Sequence, residues 1–238
     1  MTTAIEIKEA LFALSDPVKK AFLPHFFKTG KGQYGEGDLF IGVVVPRLRA
    51  LVKQFDMPSM EEIDKLLADP YHECRLTGLL FLIKMYASTH SETLRQSVYD
   101  FYLAHYTCIN NWDLVDLSAP QIVGEHLLTR NRTVLRTLAT DNHLWLQRIA
   151  IVSTFTFIKH NQLDDTYTLA DILLLHQHDL IHKAVGWMLR EAGKRSFESE
   201  YTFLTTNDRY KMMPRTMLRY AIERFDEPMR QDFLKGRI

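Results

Sequence analysis

Trp112 and Asp116 lie four residues apart in the run Ile109-Asn110-Asn111-Trp112-Asp113-Leu114-Val115-Asp116-Leu117-Ser118-Ala119-Pro120. The run reads as the start of a helix that Asn110 or Asn111 can cap. On a helix the two residues share a face, one turn apart, so a flat ring lies beside a carboxylate. The chemistry open to such a pair is electrostatic stabilisation and the orienting of a water. Two plainer readings stay open: a tryptophan is usually core, and an aspartate early in a helix can serve only as a cap or a partner of the helix dipole. Asp113 is a competing acid, but it points about 100° away from the Trp112 ring.

A second group is basic. Lys183, Trp187, Arg190 and Lys194 fall at i, i+4, i+7 and i+11 of one predicted helix, a positive stripe with a tryptophan in it. Lys211, Arg215 and Arg219 repeat the spacing further on. Between Lys183 and Arg219 there are eight Lys/Arg against four Asp/Glu, a local excess in a chain whose formal net charge is zero. A solvated face is the ordinary account of such a run; two aligned stripes with a tryptophan favour a polyanion. Arg148 sits in the mostly apolar run Leu144 to Thr154. There it must pair with an acid such as Asp116, or surface to meet a phosphate with its planar fork.

Other chemistries find no support. The histidines form no HExxH, and Cys74 and Cys108 belong to no zinc-type cluster, so no metal is expected. No Gly-x-Ser-x-Gly or dinucleotide fingerprint is present. The glycine-rich stretch Thr29 to Asp38 lacks the Gly-Lys-Ser/Thr of a phosphate loop and reads as an ordering turn.

The elements that must position these residues are helices throughout. The apolar period is helical from Ile5 to Leu14, from Pro17 to about Lys28 and from Pro46 onward. Short amphipathic helices follow at Ser59 to Leu67, Glu73 to Tyr86, Glu92 to Tyr106, Trp112 to Leu128, Arg132 to Ala139 and Leu144 to Lys159. Thr166 to His176, Leu180 to Arg195, Arg215 to Phe225 and Pro228 to Leu234 complete the chain. No segment alternates as a strand does. Paired helices at a spacing of roughly forty residues predict an all-α fold, an α–α superhelix of HEAT-like repeats with a concave groove. No linker divides the 238 residues, so one domain, 1–238, is expected. Glu6, Lys8 and Glu9 are unlike a secretory leader, and no apolar run reaches a membrane span, so a cytoplasmic protein is expected.

Four stretches, "NNWDLVDLSAPQIVGEHLL", "LWLQRIAIVSTFTFI", "HKAVGWMLREAGKR" and "MMPRTMLRYAIERF", resemble the AlkD-type DNA alkylation repair glycosylases. The N-terminal "FFKTGKGQYGEGDLFIGVVVPRLR" is similar to the same family, and the likeness spans nearly the whole chain. The resemblance implies excision of cationic N3- and N7-alkylated purines from duplex DNA, without metal or cofactor; a concave groove needs no partner chain, so a monomer is expected. It implies catalytic roles for Trp112, Asp116 and Trp187, and DNA-backbone contacts for Arg148 and Arg190. An aromatic position that is tyrosine in the best-known members falls at Phe26, which keeps the ring and loses the hydroxyl. Lys183, Lys194, Lys211, Arg215 and Arg219 are the further DNA-binding candidates. The alternatives are a non-catalytic HEAT-repeat scaffold for DNA or protein and, third, an RNA-binding solenoid.

Overall fold

The computed structural model describes residues 2–238. Every regular element among them is helical, and the one strand-like pairing is an isolated bridge between Leu39 and Tyr71. No helix among the described residues is long and apolar enough to cross a membrane. The chain divides into two compact units, the first ending at Ser118 and the second running from Ala119 to Ile238.

The first unit holds α1 (Ala4–Ala13), α2 (Pro17–Phe26), α3 (Val45–Gln54), α4 (Met60–Leu67), α5 (His72–Ser88) and α6 (Glu92–Ala104), and α7 (Trp112–Ala119) begins in it. Its centre is α5, where Cys74 to Leu82 are all buried. A helix apolar on every side must be covered on every side, and α3, α4 and α6 pack against α5. Polar side chains set where the helices begin. Thr3 and Glu6 form a reciprocal capping box on α1, and Asp16, Ser59 and Ser91 cap α2, α4 and α6.

The second unit holds α8 (Glu125–Leu127), α9 (Thr133–Thr140), α10 (Leu144–Lys159), α11 (Asp164–Ile172) and α12 (Asp179–Gly193). It ends with α13 (Phe197–Thr205), α14 (Arg209–Met212), α15 (Arg215–Ala221) and α16 (Glu227–Lys235). Here α10 is the central helix, packed by α9, α11 and α12. Gly186 lets α12 approach α15 closely: a Cβ there would lie 2.4 Å from the Met217 carbonyl oxygen.

Three expectations are corrected. The helix expected from Trp112 to Leu128 is interrupted by a π turn at Pro120–Gly124. Pro120 has no N–H to give to the turn before it, and the wider turn takes up the mismatch. Thr156 Oγ1 then donates to the Pro120 carbonyl over 2.7 Å. The second helix ends at Phe26 rather than Lys28, whose φ of 53° is left-handed. Helices α13 and α14 lie where no helix was expected.

Candidate functional site

Asn111 stands at the head of α7. Its Oδ1 accepts from the Trp112 N–H at 2.8 Å and its carbonyl from the Val115 N–H at 3.2 Å. Asn110 faces elsewhere, its Nδ2 donating to Asp38 Oδ1 at 3.0 Å. Leu114, Val115 and Ser118 are fully buried, while Trp112, Asp113, Asp116 and Leu117 are partly open. Trp112 is therefore not a core residue, and Asp116 lies one turn beyond it on the open side. The buried side is anchored to α6 by a 2.8 Å hydrogen bond between Tyr102 Oη and Ser118 Oγ.

The Trp112 ring sits among aromatic neighbours of the first unit. Its centroid is 5.5 Å from Phe27 and 6.0 Å from Phe26, the latter edge-on. Phe27 stacks on Phe40 at 5.2 Å and both rings lie 4.9 Å from His72. Phe26 is half exposed, so its ring is available to a ligand while steadying Trp112.

Beneath these rings lies a charged network that sequence reasoning missed. The first turn of α5 carries His72, Glu73 and Arg75, all buried. His72 Nε2 is 2.8 Å from Asp113 Oδ2, and its Nδ1 is 3.5 Å from Asp38 Oδ2. Arg75 Nη2 is 2.7 Å from Asp38 Oδ1, and its Nη1 donates to the Asp69 carbonyl at 2.9 Å. Glu73 accepts from the backbone N–H groups of Ile41, Gly42 and Val43 at 2.9, 2.8 and 3.2 Å. Burial disfavours the charged imidazole, but Asp113 and then Asp38 outweigh it and raise His72 to about 9. Burial likewise opposes the Asp38 carboxylate, yet His72, Arg75 and Asn110 hold it below its ordinary range. The sequence signal was available: three ionisable residues within four positions opening an apolar helix need buried partners.

The glycine-rich stretch delivers Asp38 to this network. It is stapled by its own side chains, with the Gly30 N–H bound to Gln33 Oε1 at 3.0 Å and the Gly32 N–H to Glu36 Oε2 at 2.6 Å. A Cβ on Gly35 would lie 2.6 Å from the Phe27 carbonyl oxygen. The stretch orders the chain beside α7, as the ordering-turn reading expected.

In the second unit Trp187 is partly exposed on α12, 5.6 Å from Phe155. Arg148 is buried at 4% exposure, and its Nη1 donates to the carbonyl of Leu180 in the first turn of α12. It thus braces the helix that carries Trp187. The two basic stripes are largely matched by acids. Lys183 pairs with Asp179 at 2.7 Å, Lys194 with Glu191 at 2.7 Å and Lys211 with Asp208 at 3.0 Å. Arg190 is held between Glu191 and Glu223. Arg215 Nη1 donates to the Leu234 carbonyl at 2.6 Å, and Arg219 is exposed. Among the described residues no group of three or more His, Cys, Asp or Glu is placed to hold a metal ion.

Comparison with known proteins gives a consistent result. A family model described as "DNA alkylation repair enzyme" matches residues 7–225. A solved structure titled "Predicted DNA alkylation repair enzyme from Enterococcus faecalis" superposes with a TM-score of 0.67 at 15% identity, covering 90% of this chain and 97% of that one. At that identity the likeness shows the fold. No curated protein matches the sequence.

Proposed function

The chain belongs to the DNA alkylation repair enzyme family, and on that premise we propose that it is a monofunctional DNA glycosylase for cationic N3- and N7-alkylated purines. The observation that carries the reading is on α7, where Asp116 shares the partly open side with Trp112, one turn away.

The reaction needs little from the protein. A purine alkylated at N3 or N7 already carries a positive charge. Breaking the bond between the base and C1′ sends the electron pair to the purine, which leaves neutral. The sugar is left with a developing cation, which the Asp116 carboxylate stabilises while orienting the water that adds to C1′. The water gives up one proton to solvent. The Trp112 indole packs on the deoxyribose and favours the cation. Trp187 is the second indole of the proposal, and Phe26 supplies an apolar contact. Arg190 is proposed to act on the DNA backbone, and the buried Arg148 to serve that contact indirectly by bracing the turn at Leu180. The HEAT-like pairing of helices within one domain, and action as a monomer without metal or cofactor, belong to the same reading.

The test is chemical. Duplex DNA carrying 7-methylguanine should release free base, and a matched duplex carrying a neutral lesion such as O6-methylguanine should not. The alternative is a non-catalytic scaffold that binds DNA or a protein partner. Intact binding with no base released from either 7-methylguanine or 3-methyladenine DNA would select it.

A further inference from the structure

Helix α2 buries none of its ten residues. Val18, Phe22 and Phe26, at i, i+4 and i+8, are 74%, 54% and 50% exposed and form one apolar stripe along it. The Phe22 and Phe26 rings stack at 5.9 Å, and Phe26 meets Trp112 at 6.0 Å, so the stripe leads to the α7 site within the same unit. Single exposed apolar residues need no explanation, but a continuous exposed stripe does.

The same segment is basic and unmatched. From Pro17 to Gly35 there are Lys19, Lys20, Lys28, Lys31 and His25, and no Asp or Glu at all. All five cationic or basic side chains are exposed, and among the described residues none of them pairs with a carboxylate. Lys19 flanks the apolar stripe, whereas Lys20 lies on the side facing Gly42. In the second unit, by contrast, Lys183, Arg190, Lys194 and Lys211 all have acidic partners. Another cationic cluster, at the loop before α9, is similarly engaged, with Arg132 bound to Asp165 at 2.7 Å. An uncompensated positive surface therefore lies around α2, where the sequence stripes did not place it; Arg47, Arg49 and Lys53 on α3 are likewise exposed.

Exposed aromatics interleaved with unpaired lysines match a nucleic-acid backbone: phosphates for the cations, sugars and base edges for the rings. We propose that Pro17–Gly35 is an electrostatic anchor for duplex DNA, with Lys19, Lys28 and Lys31 on phosphates and Phe22 beside Phe26 on sugars and base edges. The anchor holds undamaged and damaged duplex alike, because none of these groups reads the lesion. The inference rests on the DNA reading above only for the kind of polyanion.

The experiment is a salt titration of binding to a short unmodified duplex, followed by fluorescence anisotropy. Each phosphate contact contributes about 0.9 to the slope of log affinity against log salt. Replacing Lys19, Lys28 and Lys31 with glutamine should lower that slope by roughly 2 to 3 and weaken binding at least about tenfold at low salt. Phe22→Ala should weaken binding several-fold with the slope unchanged. Thermal melts of both variants should overlay the parent, since these side chains are exposed. The comparison variant replaces Lys183, Lys194 and Lys211 with glutamine and should change the slope by less than the α2 variant does. An α2 variant within twofold of the parent in affinity, with the same slope, would overturn the proposal. So would a larger loss from the Lys183 set. Loss of binding to vesicles containing phosphatidylglycerol, with duplex binding unchanged, would assign the surface to a membrane and overturn it too. Base release separates the two readings. Failure to excise, with binding dependent on α2, removes the glycosylase and leaves the anchor. Excision with binding independent of α2 does the reverse.

Discussion

His72 Nε2 stands 2.8 Å from Asp113 Oδ2, joining the first turn of α5 to the first turn of α7. The contact assigns the two acids of α7 different work. Asp113 holds the helix in place against a buried imidazolium, and Asp116, one turn beyond Trp112, is the carboxylate proposed for the reaction. An asparagine at 113 would leave a buried charge short of its partner, at a cost of about 3–5 kcal/mol. Asp113→Asn should therefore melt well below the parent, and calorimetry of the variant beside the parent checks this.

The same pair predicts a pH dependence. The folded-state pKa of His72 is raised from 6.5 to about 9, so its contribution is complete below 6.5 and is lost as pH rises through 9. The shift is worth on the order of 3 kcal/mol. Denaturant melts between pH 6 and 9.5 should show this loss, and Asp113→Asn should flatten it. An imidazole NMR titration midpoint near 6.5 for His72 would contradict the assignment.

Glu200 adds a second slope of the same sign. It is 2% exposed, lies against Gly193, and burial raises it from 4.5 to about 9, with Arg190 pulling the other way. An acid with a raised folded pKa stabilises fully below its unfolded value, and that contribution fades as pH rises toward 9. Glu200→Gln removes the titration. Its stability should change less between pH 5 and 9 than the parent's, as followed by urea midpoints.

Gly186 is the tightest helix contact near Trp187. A Cβ there would lie 2.4 Å from the Met217 carbonyl oxygen and 2.5 Å from Tyr220 Cβ. Neither neighbour is the free end of a flexible chain, so Gly186→Ala must push α15 from α12. Overpacking of this kind costs typically about 1–3 kcal/mol. The variant should lose that much stability and, because position 187 moves with it, lose base release as well. Parental activity and melting would show that the two helices can separate freely.

The helical class was legible because the apolar period repeats without a strand-like segment, and α10 appears over Leu144–Lys159 as its apolar run implied. Helix α13 was not, because Glu200 occupies a buried position that an apolar residue would mark. The break at Pro120 was hidden by an otherwise continuous period. The Trp112 and Asp116 spacing could be read directly, since a helix fixes which residues share a side. The His72, Asp38 and Asp113 network could not, because its members come from α5, the glycine-rich stretch and α7 and meet only on folding. Charge counts pointed to the stripe after Lys183, yet its compensating acids include Asp171, Asp179 and Glu223, outside the counted window. A local count cannot see partners brought by other turns and helices.

The central claim is the role of Asp116, and the most direct measurement is single-turnover release of 7-methylguanine from duplex DNA at saturating enzyme, parent beside Asp116→Asn. Saturation removes binding from the comparison, so the rate reports the bond-breaking step. Loss of an electrostatic stabiliser of a developing cation should slow release by about 100-fold or more with duplex affinity retained. Release by Asp116→Asn at the parental rate would contradict the account.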